Sequence, residues 1–330
     1  MSKRSEQVAF EQPCHYGVAE SYSIFQQSWW LDAVAPGQWD EIRVTRDGQV
    51  TARLPYIKKH KFGLTLLTMP PLTQTLGPWF RPSNATYAKR LAEENQLCTE
   101  LIHRLPAFDF FLQGLSPTIR NWLPFHWAGF HCVTHYTYRI QGLRDLESVW
   151  SNLTGDTRTA IRKAQKQLVV RQDLDLNEFL RLNEQTFLRQ SMRLPYSTLA
   201  VKRIDAACRE RNARKIFFAE DAKGNIHAAV YIVWDRNVSY YLMSGADPRF
   251  RSSCAGSMLI WEAVKYAATV SKCFDFEGSM IESVEHFFRG FGARQVPFFQ
   301  LSKSSRRMRF LMAARQLYFA AVNRAPDPFG

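Results

Sequence analysis

The sequence predicts an α+β fold made of two units in tandem, each a mixed, mostly antiparallel sheet with flanking helices. Three observations predict it. The order strand–strand–strand–helix–strand–helix–strand can be read in both halves. The wording FDFFLQGLSPTIRNWLPFHWAGF at 108–130 returns as FDFEGSMIESVEHFFRGFG at 274–292. The chain's 330 residues exceed the ~100–200 of an ordinary domain.

In the first half, apolar Phe25, Trp29 and Trp30 put a helix over 23–35. Strands follow at 39–46 and 50–58, parted by Asp47-Gly48, a hairpin turn pair. A third strand is expected at 64–69, a helix at 83–105, a strand at 108–112, a helix at 117–125 and a strand at 131–140. In the second half, strands are expected at 215–220, 226–234 and 238–245, with turns at 221–225 and 235–237. A helix follows at 256–270, a strand at 274–277, and a helix at 282–289 stopped by Gly290 and Gly292. A strand at 295–301 and a helix at 305–322 close the chain. The junction falls near 142–151, which gives domains 1–145 and 146–330.

Composition narrows the function. The chain is 46% hydrophobic and 14% aromatic, enough for a real core. No apolar run approaches the ~20 residues of a membrane span, and the first residues lack the apolar core of a secretory leader. The six cysteines show no paired spacing, which fits reduced thiols and a cytoplasmic protein. A formal charge of +13 suits anionic partners: phosphate-bearing donors, tRNA, or an acidic membrane surface touched peripherally. His126, His131 and His135 lack the spacing of a zinc site, so no metal is expected. No GxSxG nucleophile motif occurs, so no covalent serine intermediate is expected.

Three stretches carry a resemblance. These are Ser23-Ile-Phe-Gln-Gln-Ser-Trp-Trp30, Thr157-Arg-Thr-Ala-Ile-Arg-Lys-Ala-Gln-Lys166, and Phe274-Asp-Phe-Glu-Gly278 with the later Phe288-Arg-Gly-Phe-Gly292. Together they resemble the Fem-type peptidyltransferases and their FemAB-like acetyltransferase relatives, which carry two GNAT domains in tandem. Arg251-Ser-Ser-Cys-Ala-Gly256 resembles the GNAT turn that cradles a pyrophosphate, with Cys254 in place of the first glycine. No heptad run marks the coiled-coil arm of many tRNA-dependent members.

The resemblance implies an N-acyltransferase. The donor would be acyl-CoA or aminoacyl-tRNA, held mainly by the second domain, while the first supports the acceptor. The acceptor would be an amine or hydroxyl on a small molecule, sugar or lipid-linked envelope precursor. It implies donor contacts from Arg249, Arg251, Ser253, Gly256 and Ser257. Arg158, Arg162 and Lys166, four apart on a helix, form either a substrate-phosphate stripe or a solvated face.

Glu277 follows the Phe-Asp-Phe of the second copy alone. It reads as a general base for the acceptor amine or as an edge residue capping a turn. Asp275 reads as a catalytic residue or as a backbone anchor near the strand end, and Tyr241 as an acid toward the leaving group or as core. The alternative to an enzyme is a non-catalytic module that binds a nucleotide-linked ligand or RNA, with Cys254 marking a lost cofactor loop.

Overall fold

A single 3-10 turn, Ile24–Gln26, leads into α1 (Ser28–Val34) in the computed structural model, which describes residues 21–322 apart from 190, 191 and 279. Residues 1–20, Cys14 among them, lie outside the described residues. Strands β1 (Trp39–Arg46) and β2 (Gln49–Lys61) form a hairpin through Asp47 and Gly48, both at positive φ as the turn requires. Then come β3 (Leu64–Thr68), β4 (Trp79–Phe80), α2 (Tyr87–His103), β5 (Phe110–Gly114), α3 (Leu123–Trp127) and β6 (His131–Gln141).

The second half opens with α4 (Leu146–Asn152), α5 (Gly155–Gln165), β7 (Leu168–Arg171), α6 (Leu176–Arg189) and α7 (Thr198–Glu210). Strands β8 (Arg214–Asp221), β9 (Ile226–Trp234) and β10 (Val238–Ala246) follow. A 3-10 turn at Pro248–Ser253 leads to α8 (Ala255–Val270), β11 (Cys273–Asp275), α9 (Glu282–Arg289), β12 (Arg294–Ser304) and α10 (Arg306–Val322).

Of the expected elements that come out shorter, two have a visible cause. The helix expected at 117–125 starts only at Leu123, because Pro124 suits a first turn and Asn121 Oδ1 accepts the Leu123 N–H at 3.1 Å. The strand expected at 274–277 ends at Asp275, where the chain turns through Glu277 and Gly278 at positive φ.

The described strands form one sheet in the order β1-β2-β3-β5-β12-β6-β11-β10-β9-β8-β7, with β4 beside β2. The order is nearly palindromic about the antiparallel β12–β6 pair, where Phe298 faces His135. On either side the pairing types repeat: antiparallel β12–β5 and β6–β11, then parallel β5–β3 and β11–β10. Each half therefore lays its last strand against the other half's sheet. Six residues beyond the centre, Ser304 pairs with Phe110, as Gln141 pairs with Cys273. Phe110 thus corresponds to Cys273, so the Phe-Asp-Phe wording repeats three residues out of structural register.

The core has three parts. Residues of α4, α5, α8 and α9 cover one face of the second-half sheet. The first half packs α2 and α3 on its own strands. The third part joins the halves: Phe25, Trp30 and Leu31 from the first half pack with Phe179, Ile204, Tyr231 and Tyr240 from the second. The Phe25 ring lies 4.6 Å from that of Tyr240, and the Ile24 N–H donates to Asp235 Oδ2 at 3.0 Å. Arg203 Nε donates to the Ala33 carbonyl at 2.9 Å, tying α7 to the end of α1.

Phe25 is fully buried in this joint. Phe25→Ala should cost about 3–5 kcal/mol and lower the melting temperature of the whole chain in one transition. Two separated transitions in calorimetry would show that the halves are not coupled through it.

Candidate functional site

Strands β10 and β11 pair over three positions only, Val238–Tyr240 with Cys273–Asp275. Beyond them β10 continues along β9 to Ala246, while the other chain turns away. The sheet parts here. Two features hold it apart. Asp275 Oδ1 accepts the Glu277 N–H at 2.8 Å, which starts the turn. Gly278 then lies so close to β6 that a Cβ would sit 2.0 Å from the Tyr136 carbonyl oxygen and 2.6 Å from Thr137 Cα. Only glycine fits, both for space and for its φ of +67°. On the other side β10 bulges between Tyr241 and Met243, with Leu242 as the extra residue, which bends the strand outward.

The first half has no such opening. After β3 its chain returns to bridge Leu76 to Leu115, and the Leu76 N–H donates to the Gly114 carbonyl at 2.7 Å. The returning segment also walls the second-half opening, since Gln74 Nε2 donates to the Glu277 carbonyl.

At the far end of β10, α6 seals the edge. Asn183 Nδ2 donates to the Ser244 carbonyl at 2.7 Å and is held by the Tyr196 hydroxyl at 3.1 Å. The Ala246 N–H donates to Thr186 Oγ1 at 2.9 Å. Gly245 lets the helix approach, for a Cβ there would lie 2.4 Å from the Asn183 nitrogen. The Ser244 carbonyl thus faces away from β9. A strand residue's N–H points the same way as its C=O, so the Ser244 N–H faces the opening, where a reacting carbonyl could be polarised.

The two carboxyl groups at the opening differ sharply. Asp275 is fully buried and satisfied: it accepts from Thr137 Oγ1, from Arg139 Nε at 2.6 Å and from the Glu277 N–H. Glu277 Oε1 is closed to solvent and meets no donor among the described residues. Burial first, and the neighbouring Asp275 charge second, hold the Glu277 carboxyl well above the ordinary carboxylate range. Glu277 itself sits at φ +58°, a conformation that costs a non-glycine residue about 1 kcal/mol.

Tyr241 faces one side with Phe276 and Phe288, ring centroids 6.3 and 5.9 Å away. Burial pushes its phenol up to about 12, opposed by a hydrogen bond with Ser244. Tyr240 faces the other side, against Phe25.

The loop after β10 leads into the N-terminus of α8. Cys254 adopts the left-handed backbone, φ +59°, so the turn keeps a glycine-like shape without glycine. A Cβ at Gly256 would meet nothing within 4 Å, so its surface is open. Ser253 Oγ accepts the Ala255 N–H at 3.4 Å, and the Ser257 N–H donates to the Cys254 carbonyl at 3.1 Å. Arg249 pairs with the buried Asp247 at 2.7 Å while its side chain stays 72% exposed. Arg251 is exposed and has no ion-pair partner among the described residues. The loop is braced from beneath, where Phe250 stacks on His227 at 4.0 Å and Asp221 Oδ2 lies 3.2 Å from His227 Nε2.

The basic stripe of α5 divides among tasks. Arg158 donates to the Ser151 and Leu153 carbonyls at 2.9 and 2.5 Å and so caps α4. The Arg162 guanidinium lies 5.6 Å from the Trp150 ring centre. Lys166 ends the helix, exposed. Lys163 is the residue that reaches the loop, donating to the Ser252 carbonyl at 3.1 Å. Gln74, Asn183 and Thr137 go unmarked in the sequence, since each meets the site through a partner far along the chain.

Residues 151–283 match the family model of an acetyltransferase (GNAT) domain. Among solved structures, FemX is similar at a TM-score of 0.61 and 14% identity, covering 84% of this chain and 91% of that one. The C-terminal domain of a protein described as a lysylphosphatidylglycerol synthetase from Agrobacterium fabrum is similar at 0.53 and 11%, covering 88% and 92%. L-PGS from Bacillus licheniformis is similar at 0.52 and 10%, covering 87% and 90%. No curated protein matches the chain in sequence. At these identities the structural likenesses establish the fold, a Fem-like double GNAT fold, and the family match identifies residues 151–283 as similar to an acetyltransferase (GNAT) domain. No described helix is long and apolar enough to cross a membrane.

The raised Glu277 value fixes a stability signature. A carboxyl whose folded pKa lies above its unfolded value of ~4.3 stabilises the fold below that value and loses the contribution as pH climbs through the folded pKa. Glu277→Gln cannot titrate. Its melting temperature should match the parent's near pH 4 and exceed it increasingly at neutral and alkaline pH. A difference that stays flat across the range would mean that Glu277 ionises normally.

Proposed function

We propose that this GNAT-fold chain transfers an acyl group from acyl-CoA to an amine, with the donor threaded through the opening between β10 and β11. The observation that supports it most is the asymmetry of the duplication. The second-half sheet parts beside a carboxyl whose Oε1 is buried with no donor among the described residues, and the corresponding place in the first half is closed by its own chain. The donor pyrophosphate would lie on the N-terminus of α8, with Arg251 above it and Lys163 bracing the loop. Cys254 holds the turn in the shape a glycine would take, which favours a working cradle over a lost one.

The acyl carbonyl would accept from the Ser244 N–H, which stabilises the oxyanion as it forms. The acceptor arrives as an ammonium, and its positive charge pulls the Glu277 carboxyl back toward ionisation. Glu277 then takes one proton as the nitrogen bonds to the acyl carbon. The carbon–sulfur bond breaks, the leaving thiolate takes the Tyr241 phenolic proton, and the second proton leaving the nitrogen returns to the Tyr241 phenolate. Asp275 is the anchor that orients Glu277, since its own oxygens are already committed.

The acceptor we favour is an amine or hydroxyl on a lipid-linked or envelope-type precursor. One similar fold carries a phospholipid in the name of its product, which supports that class. Aminoacyl-tRNA is the second donor reading, supported by the likeness to FemX and the net charge of +13.

Coenzyme A should raise the melting temperature of the chain, and Arg251→Ala should remove most of that rise. Glu277→Gln should keep the rise while lowering kcat about 100-fold or more and abolishing the increase of rate with pH. Stabilisation by tRNA alone would transfer the donor role to tRNA. Stabilisation by neither would favour a binding module.

A further inference from the structure

We propose that the tip of the β2–β3 hairpin and the first turns of α10 form a docking surface for an anionic lipid bilayer. The hairpin tip is Phe62, which is 87% exposed. It also sits at φ +52°, where a bulky residue is strained and glycine or asparagine would be relaxed. Among the described residues its ring has a cation as its neighbour and belongs to none of the apolar clusters of the core. Lys61 lies beside it, its ammonium 5.3 Å from the ring centre.

Helix α10 continues the same surface. Arg307 donates to the Gly63 carbonyl at 3.1 Å, which places the helix start against the hairpin tip. Phe310 and Leu311 follow three and four residues later, on the helix face that Arg307 defines, and are 74% and 43% exposed. Arg306 and Arg309 flank them, both exposed. The acidic neighbour is Asp109, whose oxygens accept from the Thr65 N–H at 2.9 Å and the Ser305 hydroxyl at 3.0 Å. Cations around unpaired Phe and Leu side chains match the bilayer interface, where basic groups meet lipid phosphates and apolar groups enter the acyl boundary. A nucleic acid would take the cations and leave the aliphatic side chains uncovered.

The register places this surface usefully. Strand β12 runs toward α10, and β10 and β11 run toward that same end of the sheet before they part. A bilayer seated on Phe62 and Phe310 would therefore face the end at which the donor opening gapes, and an acceptor anchored in lipid could be presented to it. The link to a lipid-linked acceptor rests on the acyltransferase reading; the docking does not.

The test is co-sedimentation of the full chain with phosphatidylcholine vesicles made with and without phosphatidylglycerol. Binding is expected only to the vesicles containing phosphatidylglycerol, and it should weaken with salt. Phe62→Ser with Phe310→Ser should reduce partitioning about tenfold or more, as should Arg306→Gln, Arg307→Gln and Arg309→Gln together. All these positions are exposed, so melting temperatures and the coenzyme A shift should be unchanged. Absence of vesicle binding by the parent chain would overturn the proposal. So would equal binding by the variants, or RNA binding that the two serine substitutions leave intact without any vesicle binding.

Discussion

A contact of one glycine with one strand governs the site. Gly278 presses on Tyr136 and Thr137 of β6 with no room for a Cβ, so the chain leaving β11 cannot continue beside β10. Asp275 secures the same turn through the Glu277 N–H and is itself tied to Thr137 and Arg139 on β6. The opening is thus fixed by a strand that comes from the other half of the chain. Glu277 is carried into a strained backbone with Oε1 closed to solvent as a consequence, and burial raises its carboxyl above the ordinary carboxylate range.

The exchange of final strands joins the two halves in one continuous sheet. β12 sits between β5 and β6, and β6 sits between β12 and β11, so neither sheet can close without the other. Helix α1 adds a second crossing, with Phe25 and Trp30 buried against second-half residues. Duplication followed by such an exchange lets the copies diverge. One copy fills its opening with residues 69–77 and offers Gln74 as a wall, while the other keeps the opening and the Glu.

Much of the fold is legible in the sequence because strand alternation and turn residues act locally. Asp47-Gly48 and Asp235–Asn237 stand where hairpins turn. The recurrence of Phe-Asp-Phe points to two like units correctly and to their register wrongly, because register is set by pairing across β12 and β6 and not by like letters. The sequence reading assigns nothing to 172–213, where α6 and α7 lie; their role depends on packing against β10 and α1. At the site, Glu277 stands out as the residue that differs between copies. Arg158 looks like a ligand residue by spacing alone, yet its guanidinium meets the carbonyls that end α4, a choice visible only in three dimensions. Asn183 and Gln74 carry no local signal, for amides are ordinary surface residues until a distant strand edge needs one.

The most direct test is a structure of the chain with an acyl-thioether analogue of coenzyme A. The acyl carbonyl should lie between β10 and β11 within hydrogen-bond reach of the Ser244 N–H, with the Glu277 carboxyl on its open side and the pyrophosphate at the start of α8. An analogue bound anywhere else, or a β10–β11 gap closed over by protein with Glu277 turned out to water, would contradict the assignment.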